Sequence, residues 1–199
     1  MMKKFAFLLF SITLALIAVG WLTRPAAQAA TAKVSCREGN FTVRTGQTFY
    51  VTLVVTDTQD LYAWQFDAAF NPQYLEFVTM LPGNHLRSDG AQHFVVPPVV
   101  VNVGSTTKEA RYAAATRLSK NTGVNGSGQL AHVMFKALEQ KTDGTTIDLK
   151  NIILADRNAL EIAKDYVNSA DCKVTIRDNA PVFTQPPVGE LIFLPAVIR

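Results

Sequence analysis

The chain has 199 residues, 48% of them hydrophobic, with 19 Lys and Arg against 16 Asp and Glu for a formal charge of +3. That length suits one domain with tails. The excess charge comes from Lys3, Lys4 and Arg24, and no later lysine or arginine run stands out, which argues against nucleic acid as a partner.

Lys3 and Lys4 precede a long apolar stretch over residues 5–22, and Ala27-Gln28-Ala29 follows. This order predicts a signal peptide over residues 1–29 with cleavage before Ala30, the competing expectation being an uncleaved membrane anchor. The mature chain, of about 170 residues, then enters an oxidising compartment and is secreted or held at the cell surface. There the two cysteines, Cys36 and Cys172, read as a disulfide rather than a metal or catalytic pair.

Runs rich in Val, Thr, Ile, Phe and Tyr recur between Gly, Asn and Asp clusters. They predict strands over residues 33–36, 40–43, 48–56, 61–70, 74–80, 92–103, 110–118, 128–138, 145–154 and 172–176, and so an all-β sandwich. In the fourth run Trp64, Phe66, Ala68 and Phe70 fall on one face and Ala63, Gln65, Asp67 and Ala69 on the other. Asn71-Pro72 stops it. Pro97-Pro98 places the sixth run at a sheet edge or breaks it in two, because proline donates nothing to a ladder. Gly123, Gly126 and Gly128 are expected to supply positive φ in a tight connection. Residues 156–165 are expected to form loop and short strand. After residue 177 the prolines and the loss of alternation predict a linker and apolar tail over residues 178–199, with the domain over residues 30–177.

Four blocks in order resemble the bacterial cohesin domain, a jelly-roll sandwich that binds dockerin modules. They are Arg44-Thr-Gly-Gln-Thr-Phe-Tyr-Val-Thr-Leu-Val-Val55, then Tyr62-x-x-Gln-Phe with Phe70-Asn71-Pro72-x-x-Leu75-Glu-Phe77, then Gly123 to Ala137, then Ile147-x-Leu-x-Asn-Ile-Ile-Leu-Ala-Asp-Arg-Asn158 with Glu161-Ile162 behind it. Asn71 departs from the pattern, since many members have aspartate there. The resemblance implies a nine-stranded jelly-roll sandwich whose first and last strands are neighbours, which agrees with a Cys36–Cys172 bridge. It implies a partner held on the outer face of the sheet containing the third, fifth, sixth and eighth strands. Carried over, that face offers Ala63, Gln65, Asp67 and Ala69, together with Arg111, Ala113 and Ala115 or, in the alternate register, Tyr112, Ala114 and Thr116. The partner implied is a dockerin-like module, or a polysaccharide in a system that breaks polysaccharides down; an adhesion or structural sandwich without a dockerin is the alternative. A monomer is expected.

No catalytic residues are expected. His85, His93 and His132 have no metal-ligand spacing, Gly126-Ser127-Gly128 is a turn signal rather than a nucleophile elbow, and Glu76 and Asp67 come from adjacent predicted strands with no cleft evident. Calcium is the cofactor these residues come nearest to holding, through Asp156, Asn158 and Asp165 in one loop and Asp143 and Asp148 in another. The twelve-residue spacing is absent, so solvated turns and no cofactor are expected. Tyr50, Tyr62 and Phe94 are the aromatics available for a sugar platform. The ending Phe193-Leu-Pro-Ala-Val-Ile-Arg199 resembles the terminal sorting or anchoring signal of many exported bacterial proteins.

Overall fold

The structure, a computed structural model, describes residues 31–166 and 171–185. The expected signal peptide and the apolar ending after residue 190 lie outside them. The described strands are β1 (Ala32–Cys36), β2 (Asn40–Arg44), β3 (Thr48–Phe70), β4 (Leu75–Pro82), β5 (Gln92–Val96), β6 (Val99–Asn102), β7 (Lys108–Leu118), β8 (Val124–Ala137), β9 (Lys141–Asp156), β10 (Lys164–Tyr166) and β11 (Cys172–Arg177). One 3-10 turn, His85–Arg87, lies between β4 and β5.

The all-β sandwich is present, with eleven described strands rather than nine. Three features turn the ten predicted runs into these eleven. Pro97-Pro98 both marks an edge and splits the strand, since β5 and β6 each pair with β7 and with no other described strand. The short strand expected with the loop over residues 156–165, outside the ten runs, is β10 at the end of that segment, and it pairs with β1. The third and fourth predicted runs are one strand. The first half of β3 pairs with β1 and β8, giving a back sheet in the order β10-β1-β3-β8-β4. Its second half pairs with β7 and β9, giving a front sheet in the order β2-β11-β9-β3-β7 with β5 and β6 at the edge. The passage from one sheet to the other falls at Asp57-Thr58-Gln59-Asp60, where Asp57 and Asp60 take φ of 59° and 54°. Aspartate tolerates that left-handed conformation better than most residues, so turn-like chemistry here bends a strand rather than ending it.

Between the sheets Trp64, Phe66, Ala68 and Phe70 are buried, as the alternation predicts. Phe135 is the hub of the core, its ring centroid 5.2 Å from Phe70, 5.9 Å from Phe77 and 6.2 Å from Phe49. The Cys36–Cys172 disulfide is formed, with 136 residues of separation. It joins β1 of the back sheet to β11 of the front sheet. The first and last strands are therefore neighbours across the layers, while within its own sheet β11 pairs with β2 and β9.

Of the three glycines before the third block's strand, only Gly126 has positive φ, at 92°. Gly123 and Gly128 serve close approach instead, and they lie before and inside β8 rather than in a free turn. A Cβ at Gly123 would stand 2.2 Å from the Asp60 carbonyl, and one at Gly128 would stand 2.4 Å from the His85 ring. Since backbone cannot swing aside as a long side chain can, Gly123→Ala is expected to lower unfolding free energy by about 2 to 3 kcal/mol. Urea denaturation checks this; a loss below half a kcal/mol, roughly that of a neutral surface change, contradicts it.

Residues 178–185, expected to begin a linker, lie against the sheets. The Arg44 Nε–H donates to the Ala180 carbonyl at 2.8 Å, and the Gln47 amide both donates to the Phe183 carbonyl at 2.7 Å and accepts from the Phe183 N–H at 3.2 Å. The Phe183 ring stacks on Phe41 with centroids 5.1 Å apart. The prolines remove strand periodicity without removing these contacts, so the folded body continues to Gln185, which accepts from the Tyr50 N–H at 2.8 Å.

Candidate partner-binding face

The strands indicated by the resemblance lie side by side in the front sheet as β9, β3, β7 and β5, and their outer face is uncovered among the described residues. Its upper half is a shallow groove of about 230 Å³ lined by Ala63 and Gln65 of β3, Phe94 and Val96 of β5, Ala114 and Thr116 of β7, and Ile153 and Ala155 of β9. Cross-strand pairing of Ala63 with Thr116 and of Gln65 with Ala114 and Ile153 fixes these residues on one surface. Phe94 is 56% exposed and Ile153 40%. The alanines make the floor low, and the larger side chains of the two outer strands make the walls.

The lower half of the face is charged. The Arg111 guanidinium meets Glu109 at 2.7 Å, Lys150 meets Glu109 at 3.7 Å across β3, and Lys150 meets Asp148 at 3.1 Å. These neighbours hold the Arg111 and Lys150 cations more firmly protonated than usual. Asp171 beside them is pushed up, first by burial and then by the nearby Asp148 charge. Tyr112, 57% exposed, stands at the seam between the two halves.

The expected face residues divide. Ala63, Gln65 and Arg111 lie on the outer surface. Ala113 and Ala115 do not, being 1% and 3% exposed and packed in the core. The register of β7 is the alternate one, with Ala114 and Thr116 outward, while a bulge brings out both Arg111 and Tyr112. Asp67 and Ala69 point outward but are covered, each 3% exposed. Ala69 pairs with Glu109 on one side and Asp148 on the other, beneath the Lys150–Glu109 bridge. Asp67 is consumed by internal hydrogen bonds rather than offered to a partner.

Phe94 was legible as an available aromatic; Val96, Ile153, Ala155, Glu109 and Lys150 were not singled out. Arg117 is a further such residue, and its sequence signal is a charge continuing the inward series Ala113, Ala115. It is buried, donates to the Leu86 carbonyl, and meets Asp89 at 2.8 Å. This pins the loop that leads into β5 and so the wall carrying Phe94. The same guanidinium holds the Asp89 carboxyl well below the usual range.

The other candidates do not assemble. Asp156 accepts from the backbone N–H groups of Asn158 and Leu160 at 2.8 and 2.9 Å, so its carboxylate closes its own turn, and Asp165 lies away in β10. Among the described residues no three His, Cys, Asp or Glu side chains converge as metal ligands. Glu76 is in the back sheet and Asp67 in the front-sheet half of β3, so these carboxylates share no cleft. Tyr50 packs edge-on against His132 in the back sheet, with centroids 5.2 Å apart, and belongs to no aromatic platform with Phe94.

His132 is buried beside Thr52, its Nδ1 3.2 Å from the hydroxyl, which in turn donates to Glu38 at 2.8 Å. Burial, and then the Arg37 charge, push its pKa down to about 4. An unfolded histidine titrates near 6.5, so the stabilisation is complete above that pH and is lost as pH falls toward 4, because only the unfolded chain takes up the proton. A loss of about 3 kcal/mol over that interval is expected from this group, and His132→Gln should flatten the pH dependence of melting. An unchanged profile contradicts the assignment.

A family model described as Cohesin domain matches residues 39–176. Among solved structures, CaCohA2 from Clostridium acetobutylicum is 19% identical, with 78% of this chain and 97% of that one covered at a TM-score of 0.56. A type I cohesin–dockerin complex from Clostridium thermocellum gives 13% identity, 74% and 100% coverage and a TM-score of 0.55. A non-cellulosomal cohesin from the archaeon Archaeoglobus fulgidus gives 13% identity, 74% and 92% coverage and a TM-score of 0.52. At such identities the likeness to these structures establishes the fold. No curated protein matches.

Proposed function

The chain belongs to the cohesin domain family, and from that footing we propose that it is a non-catalytic protein-binding module whose partner, a dockerin-like module, docks on the outer face of the front sheet. The observation that carries the reading is the open apolar groove between Phe94 and Ile153, bordered by the ion pairs of Glu109, Arg111 and Lys150. An apolar centre with a charged margin is the anatomy of a protein interface. Polysaccharide is the poorer occupant, because in the groove's lining among the described residues only Gln65, Thr116 and the buried Trp64 carry side-chain hydrogen-bonding groups, and a sugar surface needs many such partners. Complexes of relatives with dockerins lend the partner its class.

Export through residues 1–29 is part of the proposal, supported by the Ala27-Gln28-Ala29 site and by a disulfide of the kind that persists in oxidising compartments. The ending at residues 193–199 is proposed as the means of display at the cell surface. Isothermal titration of the purified protein against the dockerin modules encoded in its own genome tests the binding. Saturable one-to-one heats are expected with at least one of them; silence from all of them, or a genome holding none, overturns the reading in favour of an adhesion or structural sandwich.

A further inference from the structure

Both strands flanking β3 in the front sheet slip register within one residue of each other, β7 opposite Asp67 and β9 opposite Phe66. In β7, Ala113 pairs with Phe66 and Ala110 with Ala68, which leaves Arg111 and Tyr112 together opposite Asp67. In β9, Ile153 pairs with Gln65 and Lys150 with Asp67, so Asn151 and Ile152 share the place beside Phe66. Each extra residue forms a β-bulge, which bends the strand and re-aims its side chains. Tyr112 takes φ 64° and Asn151 φ 49°, a region that residues other than glycine keep when their surroundings hold them there.

Asp67 supplies that hold to both bulges. Its Oδ1 accepts the Tyr112 backbone N–H at 2.7 Å, and its Oδ2 accepts the Asn151 side-chain amide at 2.7 Å. A carboxylate on a single methylene accepts on both oxygens, whereas asparagine offers one acceptor and glutamate is longer by a carbon. We propose that Asp67 is the positioning residue of the partner-binding face, locking the paired bulges that set Tyr112 and the Arg111, Glu109 and Lys150 charges beside the groove. Without the bulge, strict alternation in β7 would turn either Arg111 or Tyr112 into the core. This rests on the docking reading above, yet Asp67 touches no partner itself.

The test exploits hydrogen-bond direction. In Asp67→Asn the Tyr112 N–H keeps an acceptor while two side-chain NH₂ groups oppose each other at position 151. Adding Asn151→Asp restores the second bond with its polarity reversed. For a dockerin module that binds the parent protein, affinity is expected to fall about tenfold in D67N, in line with a lost charge-assisted hydrogen bond, and to recover to within about threefold in D67N/N151D. A general structural defect predicts no recovery, and because N151D also returns the local negative charge, exchange at Tyr112 separates hydrogen-bond acceptance from charge, since D67N loses the charge and keeps the acceptor. Amide hydrogen exchange gives a readout that needs no partner: Tyr112 protection is expected to drop at least about tenfold in Asp67→Ala and to persist in D67N. Parent-like affinity in D67N, failure of the double variant to recover, or unchanged Tyr112 protection in Asp67→Ala each overturns the proposal. If no dockerin module binds the parent, the docking reading falls, and the positioning role for that face falls with it, whereas the exchange data still decide the bulge clamp.

Discussion

Replacing both Cys36 and Cys172 by alanine is expected to lower unfolding free energy by about 4 kcal/mol and the melting temperature by roughly 10 to 15 °C. The bridge spans 136 residues and joins the outer ends of the sequence across the two sheets. Without it the unfolded chain gains the entropy of an open loop, which the chain-entropy treatment puts at about 4 to 5 kcal/mol for a loop of this length. Both sulfurs are buried, so little solvent contact is gained in the folded state to offset that difference. Calorimetric melting of oxidised parent and double variant measures it. A fall of less than about 3 °C, under 1 kcal/mol for a domain of this size, contradicts an entropic role.

The disulfide and the buried half of β3 could be read from residue types because each depends on a local rule. Two cysteines behind a stretch that reads as an export signal favour one bridge, and Trp64, Phe66, Ala68 and Phe70 at period two fix one core face. The continuity of β3 could not be read so. Asp57 to Asp60 carries the composition of a loop, and only the partners on either side, β8 below and β7 above, show that the chain bends and runs on.

The register of the proposed binding face departs from strict alternation at a single kind of feature. In β7 the inward residues are Ala110, Ala113, Ala115 and Arg117, and in β9 they are Ile147, Leu149, Ile152 and Leu154. Each series contains one step of three among steps of two. Strict alternation admits no such step, so the register with Tyr112, Ala114 and Thr116 outward is right for those three and still omits Arg111, which is outward as well. The signal was present in Leu149-x-x-Ile152, where two polar residues separate two apolar ones inside a strand. Asp67 reads as a contact residue for the same reason, since a bulge acceptor and an exposed carboxylate look alike in sequence. The groove walls depended on tertiary structure more fully, because Phe94 and Ile153 come together only when β5 and β9 take their places on either side of β3 and β7.

Ile153→Lys is expected to weaken dockerin binding by about 100-fold or more, which is the range of a central hot spot, while leaving the fold intact. Ile153 is a wall of the groove and 40% exposed, so a lysine there can keep its ammonium in water in the free protein, and stability should change by no more than about 0.5 kcal/mol. In the complex the same ammonium must be buried against Ala63 and Ala155 or displace the partner, and neither alanine offers it a hydrogen-bond acceptor. Most of the loss should therefore appear as faster dissociation. Lys150→Ala, at the charged margin, is the contrasting case. It removes a cation already neutralised by Asp148 and Glu109, so its effect should be a few-fold change in association rate that fades with added salt. Surface plasmon resonance on both variants separates the rates. Equal losses at the two positions, or a larger one at Lys150, would move the energetic centre from the apolar groove to the ion pairs.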